Sequence, residues 1–171
     1  MGRAKKFKVE KGSPVSFTVA KTQIGRKAKG AHGYITKGKV YFGKTPVLYV
    51  AKIYYKRHPP DQAVKDFRML SRLKAIGCKV IPAFMVVRPE GRNPILLLTD
   101  LRREGRFEVQ KMVEMKNVAN KEEIRKIVEE NFKLAAKHKI FLPRDSWIVA
   151  IDKKTRIGKP YISDVVLCFE H

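Results

Sequence analysis

The two side chains of this chain best placed to do chemistry are Lys52 and Asp66, a cation and a carboxylate fourteen residues apart. Lys52 lies in residues 47–55, a segment rich in β-branched and aromatic side chains. In a strand, a period of two places Lys52 on an apolar face between Val50 and Tyr54. The sequence therefore predicts a partly buried lysine.

Asp66 lies in a helical pattern that follows this strand. The pattern opens after two prolines with Asp61 as the predicted N-cap, and a period of 3.6 groups Asp66 with Leu70 and Leu73 on one stripe. A buried charge without a partner is costly, so we expect the inward carboxylate to pair with Lys52. Such a pair can aim a lysine at a phosphate group.

The elements that must position this pair form an α+β pattern. We expect a frayed basic arm at residues 1–13, a sheet with one helix at residues 14–101, and a second lobe at residues 102–171. The strands predicted for the first lobe are residues 15–19, 34–36, 40–42, 47–55, 79–87 and 95–101, with a turn at Lys37–Gly38 and a helix at residues 61–76 that ends at Gly77.

The second lobe is predicted to begin with a linker at residues 102–106. A helix follows from Asn120, which we expect to form a capping box with Glu123. Residues 147–151 and 160–163 then read as a hairpin.

Charge is the most unusual feature of the composition, at +22 over 171 residues. Residues 1–57 hold fifteen Lys or Arg against the single acid Glu10, which gives this third a net charge of 15 − 1 = +14. Such a field attracts polyanions, and nucleic acid (DNA or RNA), nucleotides and anionic membranes are the candidates in falling order.

Cysteine usage and the N-terminus indicate the compartment. Cys78 and Cys168 lack paired spacing, which is typical of a reducing cytosol. The first residues carry no apolar signal region, and the longest apolar run is too short to span a bilayer. We therefore expect a cytoplasmic protein without a membrane anchor.

Two further segments carry residue types that suit phosphate and metal. Residues 25–33 form a basic loop in which backbone amides, together with the lysines, are able to cradle phosphate; the residues concerned are Gly25, Lys27, Lys29, Gly30 and Gly33. A basic hairpin tip is as often a nucleic-acid contact. Asp164 ends an apolar strand, a position that suits either a hard-cation ligand or a turn residue.

The order of these elements resembles the protein-kinase-like fold, and most closely the small RIO-type and related atypical kinases. The resemblance spans residues 15–168 and rests chiefly on residues 66–73, Ile76–Gly77, Val80–Pro82 and the strand at 95–101. It implies an N-lobe with an antiparallel five-stranded sheet and one helix, a truncated helical C-lobe, and a cleft that binds ATP with Mg²⁺.

The resemblance also implies roles for individual residues. Lys52 would hold the α and β phosphates and Asp66 would orient it. Asp164 sits where the family keeps its magnesium-binding aspartate. The remaining cofactor contacts that it implies are Val50, at the position of the family's alanine before the lysine, and Thr99, Asp100 and Leu101 beside adenine.

The catalytic loop permits two alignments. In one, His138–Ile140 corresponds to the family's His-Arg-Asp, so that Ile140 replaces the base and Asp145 takes the place of the metal-binding asparagine. In the other, Arg144 and Asp145 are the Arg-Asp pair and Asp145 is the base. Neither alignment gives a complete site, and the helices that hold a peptide substrate are missing. A protein partner is therefore expected to supply the substrate platform.

Two functional hypotheses follow from these observations. The first is a kinase-like protein that binds Mg-ATP, either with serine/threonine-type phosphotransfer as an atypical kinase or as a pseudokinase scaffold. The alternative is a basic nucleic-acid-binding protein with a vestigial nucleotide cleft. Its contact surface would be the sheet edge where Lys37, Lys39 and Lys44 occur among aromatic residues.

Overall fold

The fold is described from a computed structural model. It gives the backbone of residues 5–9, 15–23, 32–42, 45–88 and 91–170, and the side chains of residues 32–41, 47–88 and 91–169. The chain divides into two compact units, residues 1–67 with 82–100 and residues 68–81 with 101–171.

The described residues of the first unit contain six strands in one closed sheet. They are β1 (Lys5–Val9), β2 (Val15–Gln23), β3 (Gly33–Phe42), β4 (Thr45–Tyr54), β5 (Phe84–Arg88) and β6 (Ile95–Thr99). The strand order is β1-β2-β3-β4-β6-β5, and β5 pairs back to β1, so the sheet closes into a barrel of antiparallel neighbours. Helix α1 (Gln62–Ala75) begins in this unit and its remainder belongs to the second.

The core of the first unit lies on one face of β4. Tyr49 and Ala51 pack there with Val40, Val87 and Leu97 in a cluster of buried residues. Because side chains alternate along a strand, Lys52 points to the opposite face of β4. The sequence-based assignment of Lys52 to the face of Val50 and Tyr54 agrees with this alternation.

The predicted turn at Lys37–Gly38 is wrong. β3 continues through both residues, and its ten residues pair in register with β4 from Gly33 opposite Tyr54 to Phe42 opposite Thr45. The alternation of exposed and buried positions also continues through them, since Lys37 and Lys39 are exposed while Gly38 and Val40 are buried. Pairing along the whole length of β4 therefore outweighs the local turn preference of a Lys-Gly step.

Two other expectations for the first unit also fail. Residues 5–9 of the predicted frayed arm form β1, because their backbone pairs with both β2 and β5. The predicted five-stranded sheet is also wrong. Four strands, β3, β4, β6 and β5, supply the residues of the buried cluster, and the two remaining strands, β1 and β2, close the sheet into a six-stranded barrel.

The second unit has two small sheets and one complete helix. Its elements are β7 (Phe107–Lys111), α2 (Lys121–Lys137), β8 (Ile140–Phe141), β9 (Trp147–Asp152), β10 (Gly158–Ile162) and β11 (Phe169–Glu170). One sheet has the order β10-β9-β7 and the other pairs β11 with β8. The predicted terminal hairpin is therefore confirmed, whereas β7, β8 and β11 were not predicted.

The predicted capping box at the start of α2 does not form. Asn120 occupies the N-cap position, but its side chain makes no cap hydrogen bond. Its Oδ1 instead accepts the N–H of Gly158 at 2.8 Å, and its Nδ2 donates to the Gly158 carbonyl at 3.0 Å. The side chain thus ties α2 to β10. At the other end, His138 is the C-cap of the helix.

Candidate functional site

The predicted pair of Lys52 and Asp66 forms in the first unit. Lys52 Nζ lies 3.2 Å from Asp66 Oδ2, and the two residues are only 6% and 1% exposed. Strand β4 presents the lysine on the face opposite the barrel core, and the first turns of α1 present the aspartate. Both charges are thus almost completely removed from water. A buried ion pair is tolerated only when further hydrogen bonds satisfy its remaining donors and acceptors.

Two more side chains supply those hydrogen bonds. The Tyr54 hydroxyl donates to Asp66 Oδ2 at 2.6 Å, and Gln62 Nε2 donates to Asp66 Oδ1 at 2.8 Å. The Lys52 ammonium also lies 5.1 Å from the centre of the Tyr54 ring, within cation–π range. Asp66 therefore receives three donors, and we call these four residues, Lys52, Tyr54, Gln62 and Asp66, the Asp66 network.

The sequence reasoning assigned no role to Tyr54 or Gln62, although a signal for each was present. Tyr54 lies two residues after Lys52 on the same strand face. Gln62 lies four residues before Asp66 and hence on the same helix face. The periods that identified the ion pair also identify these two donors.

A pair of histidines lies beside the network. His32 Nδ1 and His58 Nε2 are 3.3 Å apart, and the His58 ring centre is 6.3 Å from that of Tyr54. Partial burial lowers the pKa of His58, and the neighbouring His32 and Arg57 lower it further. Sequence reasoning missed this contact, because 26 residues separate the two histidines.

Most of the predicted phosphate loop falls outside the described residues. Of the five predicted residues, the structure describes Gly33 but not Gly25, Lys27, Lys29 or Gly30. Gly33 opens β3, and a Cβ built on it would lie 2.2 Å from the Ile53 carbonyl oxygen. The close approach of β3 and β4 therefore requires glycine at this position.

The residues predicted to lie beside adenine have mixed surroundings. Val50 is half-buried on the same face of β4 as Lys52. The Thr99 hydroxyl accepts the Ala83 N–H at 3.1 Å and lies 3.0 Å from the Ala83 carbonyl, so the backbone of residue 83 holds it. The Asp100 N–H donates to the Leu48 carbonyl at 3.4 Å, and Leu101 is buried.

The two candidate metal ligands lie in the second unit, on adjoining segments. The Ser146 carbonyl accepts the N–H groups of Ser163 and Asp164 at 3.0 and 3.3 Å, which places the segment of Asp145 beside that of Asp164. Asp145 is exposed in a 3₁₀ turn. Asp164 is half-buried, and its Oδ1 accepts the Val166 N–H at 3.4 Å. No group of three or more potential metal ligands occurs among the described residues.

Neither helix of the described part of the chain is long and apolar enough to cross a membrane.

Comparisons with known proteins find similarity in structure but not in sequence. No protein-family model matches the chain, and no curated protein matches it. Among solved structures, a proinflammatory kinase from Helicobacter pylori, CtkA, superposes with a TM-score of 0.62 at 12% sequence identity, over 88% of this chain. The fold is kinase-like. The chain spans 58% of the length of that structure, and at this identity the likeness concerns the fold alone.

Proposed function

We propose that this chain binds ATP with magnesium, and that Lys52 contacts the phosphates. The observation that carries the proposal is the Asp66 network, in which a lysine is nine-tenths buried and held by a carboxylate, within a kinase-like fold. A lysine that is oriented by an acid is the arrangement that protein kinases use to hold nucleotide phosphates.

Stability alone is a poor explanation for this network. A buried ion pair often stabilises a fold no better than apolar side chains of similar volume do. Here a strand lysine and two further donors all bind the carboxylate of one helix aspartate. Such an arrangement fixes the direction of the ammonium group, which phosphate binding needs and packing does not.

The finer parts of the proposal rest on the sequence resemblance. These are the kinship with RIO-type kinases, magnesium binding by Asp164 with Asp145, and adenine contacts by Val50 and residues 99–101. Phosphotransfer to a serine or threonine is one outcome, with a protein partner supplying the substrate platform. A pseudokinase, which binds nucleotide without transferring phosphate, is the other.

Calorimetric titration of Mg-ATP tests the proposal. We expect one-site binding to the wild type, a loss of affinity of at least about tenfold in Lys52→Met, and wild-type affinity in Lys56→Met. Lys56 is an exposed lysine four residues away, so its variant has the same charge but leaves the network intact. Salt at 0.5 M or about that level suppresses unspecific ATP binding by a polycation. Equal affinities of all three proteins would refute the assignment of Lys52.

Phosphotransfer is then measured separately. Incubation with γ-labelled ATP and generic protein substrates, with Asp164→Asn and Asp145→Asn as controls, distinguishes the two outcomes. Label transfer that depends on either aspartate indicates a kinase. Mg-ATP binding without transfer indicates a pseudokinase.

A second candidate function is nucleic-acid binding. The positive charge of the barrel strands favours it. The six barrel strands together contain eight Lys or Arg and no Asp or Glu. Each duplex phosphate that such a surface neutralises contributes roughly −0.9 to the slope of the logarithm of the binding constant against the logarithm of salt concentration. A steep slope with DNA or RNA, combined with no binding of Mg-ATP, would favour this function over the first.

A further inference from the structure

The face of the barrel that presents Lys52 also presents a second lysine. Lys37 on β3 pairs with Val50 on β4, while Ile35 pairs with Lys52. Cross-strand partners project to the same face, so Lys37, Val50 and Lys52 share one side of the sheet. Diagonal neighbours in an antiparallel pair lie about 7–8 Å apart, so this is the expected separation of Lys37 and Lys52 where their side chains leave the backbone.

The two lysines differ in what they offer to an anion. Lys52 is buried against Asp66, so the pair as a whole has no net charge. Lys37 is exposed, and none of β2, β3 and β4 contains a carboxylate to neutralise it. A polyphosphate carries several negative charges, which an ion pair of zero net charge orients but does not offset. Lys37 is the described cation nearest along the sheet that supplies the missing charge.

We infer that Lys37 is a second phosphate-binding residue of the nucleotide site, and that this site takes nucleoside polyphosphates in preference to nucleosides. The inference rests on the proposed function, since it concerns the same face of β4. Val50, which is half-buried, lies opposite Lys37 and two residues before Lys52, so the side chain between the two lysines is apolar.

Lys39 provides a matched control on the same strand. It is exposed like Lys37 and projects to the same face, but it pairs with Leu48, four residues from Lys52. At roughly 3.4 Å per residue, that places it about 14 Å along the sheet from Lys52. Lys37→Ala and Lys39→Ala therefore make the same change in net charge and surface, and differ only in distance from the network.

The experiment is a titration of ATP and of adenosine, each with magnesium, into the wild type, Lys37→Ala, Lys37→Arg, Lys39→Ala and Lys52→Met. We expect Lys37→Ala to weaken ATP binding about five- to tenfold, Lys37→Arg to restore most of it, and Lys39→Ala to change it less than about twofold. Adenosine affinity should be the same in Lys37→Ala as in the wild type, because adenosine has no phosphate.

The outcomes separate this inference from the proposed function. Loss of ATP binding in Lys52→Met, with equal affinities in Lys37→Ala and Lys39→Ala, would overturn the role of Lys37 and leave the nucleotide site standing. Equal weakening of ATP and adenosine by Lys37→Ala would also overturn it. Absence of ATP binding by the wild type would overturn both proposals.

Discussion

Two buried polar side chains, Asp66 of the first unit and Asn131 of the second, find their partners in different ways. In the first unit, Lys52, Tyr54 and Gln62 all donate to the carboxylate of Asp66, so side chains bind another side chain. In the second unit, the amide of buried Asn131 accepts the Lys79 N–H and donates to the Ile127 carbonyl at 2.7 Å. Asn131 therefore bonds only to backbone groups in these contacts, whereas Asp66 bonds to side chains.

Two other residues of the second unit also bond to the backbone, Asp152 in addition to its ion pair with Arg106. Asn120 brackets the backbone of Gly158, and Asp152 accepts the N–H groups of Lys154 and Thr155 in the β9–β10 turn. Buried backbone groups must find partners in any fold, so these contacts have a complete structural explanation.

The difference indicates where to look for function. A side chain that satisfies the backbone is needed for folding, and its removal should act on stability alone. A lysine buried against a carboxylate is not needed for folding in this way. If two apolar residues replaced the pair, neither buried charge would remain to be neutralised. The Asp66 network is therefore the part of the described structure that folding explains least.

The largest effect is expected when the network loses one charge. Lys52→Ala leaves Asp66 buried without its cation, and we expect the free energy of unfolding to fall by about 3–5 kcal/mol. The double variant Lys52→Met with Asp66→Leu removes both charges and should recover most of that loss. Urea unfolding followed by circular dichroism measures both. If the double variant were as unstable as Lys52→Ala, the network would be needed for folding, and the contrast between the units would disappear.

A smaller effect is expected in the second unit. Asn131→Ala leaves the Lys79 N–H without its acceptor in a site that is 8% exposed, and we expect a loss of about 1–3 kcal/mol in unfolding free energy. Mg-ATP affinity of the folded protein should stay at the wild-type value. Asn93→Ala, at an exposed loop position, is the control and should be neutral. A change in nucleotide affinity in Asn131→Ala would show that Asn131 does more than satisfy the backbone.

The features that the sequence predicted correctly depend on periodicity within one element. The period of β4 places Lys52 opposite the core face, and the period of α1 turns Asp66 inward. The helix predicted at residues 61–76 is observed at Gln62–Ala75, and Gly77, two residues beyond its end, has a φ of +95°. A glycine with positive φ is a common helix stop, so this boundary is encoded locally.

The features that the sequence did not predict depend on partners distant in the chain. Lys37–Gly38 reads as a turn until β4 pairs with it. Asn120 and Glu123 read as a capping box until Gly158, 38 residues after Asn120, captures the asparagine. The contact of His32 with His58 is likewise non-local. Local patterns do not encode which of several satisfactory partners a polar group will meet.

The smallest effect concerns pH, and it distinguishes the units by the range in which each responds. The pKa of His58 in the first unit is lowered from its ordinary value of 6.5, chiefly by burial and then by His32 and Arg57, with Lys52 lowering it slightly and Asp66 opposing. The pKa of Asp152 in the second unit is lowered from 3.8, chiefly by the backbone N–H groups of Thr155 and Lys154 and then by Arg106.

Both pKa values are lower in the folded than in the unfolded protein, so each group stabilises the fold above its ordinary pKa and loses that contribution as pH falls through the folded value. We expect a shallow decline in unfolding free energy to begin below pH 6.5 and a second decline below about pH 3.8. Urea unfolding across this range should show the first decline abolished in His58→Asn but retained in Asp152→Asn. The second should be reduced in Asp152→Asn alone. If His58→Asn kept the first decline, the two histidines would contribute nothing to the surroundings of the network, and the pH response would come from elsewhere in the chain.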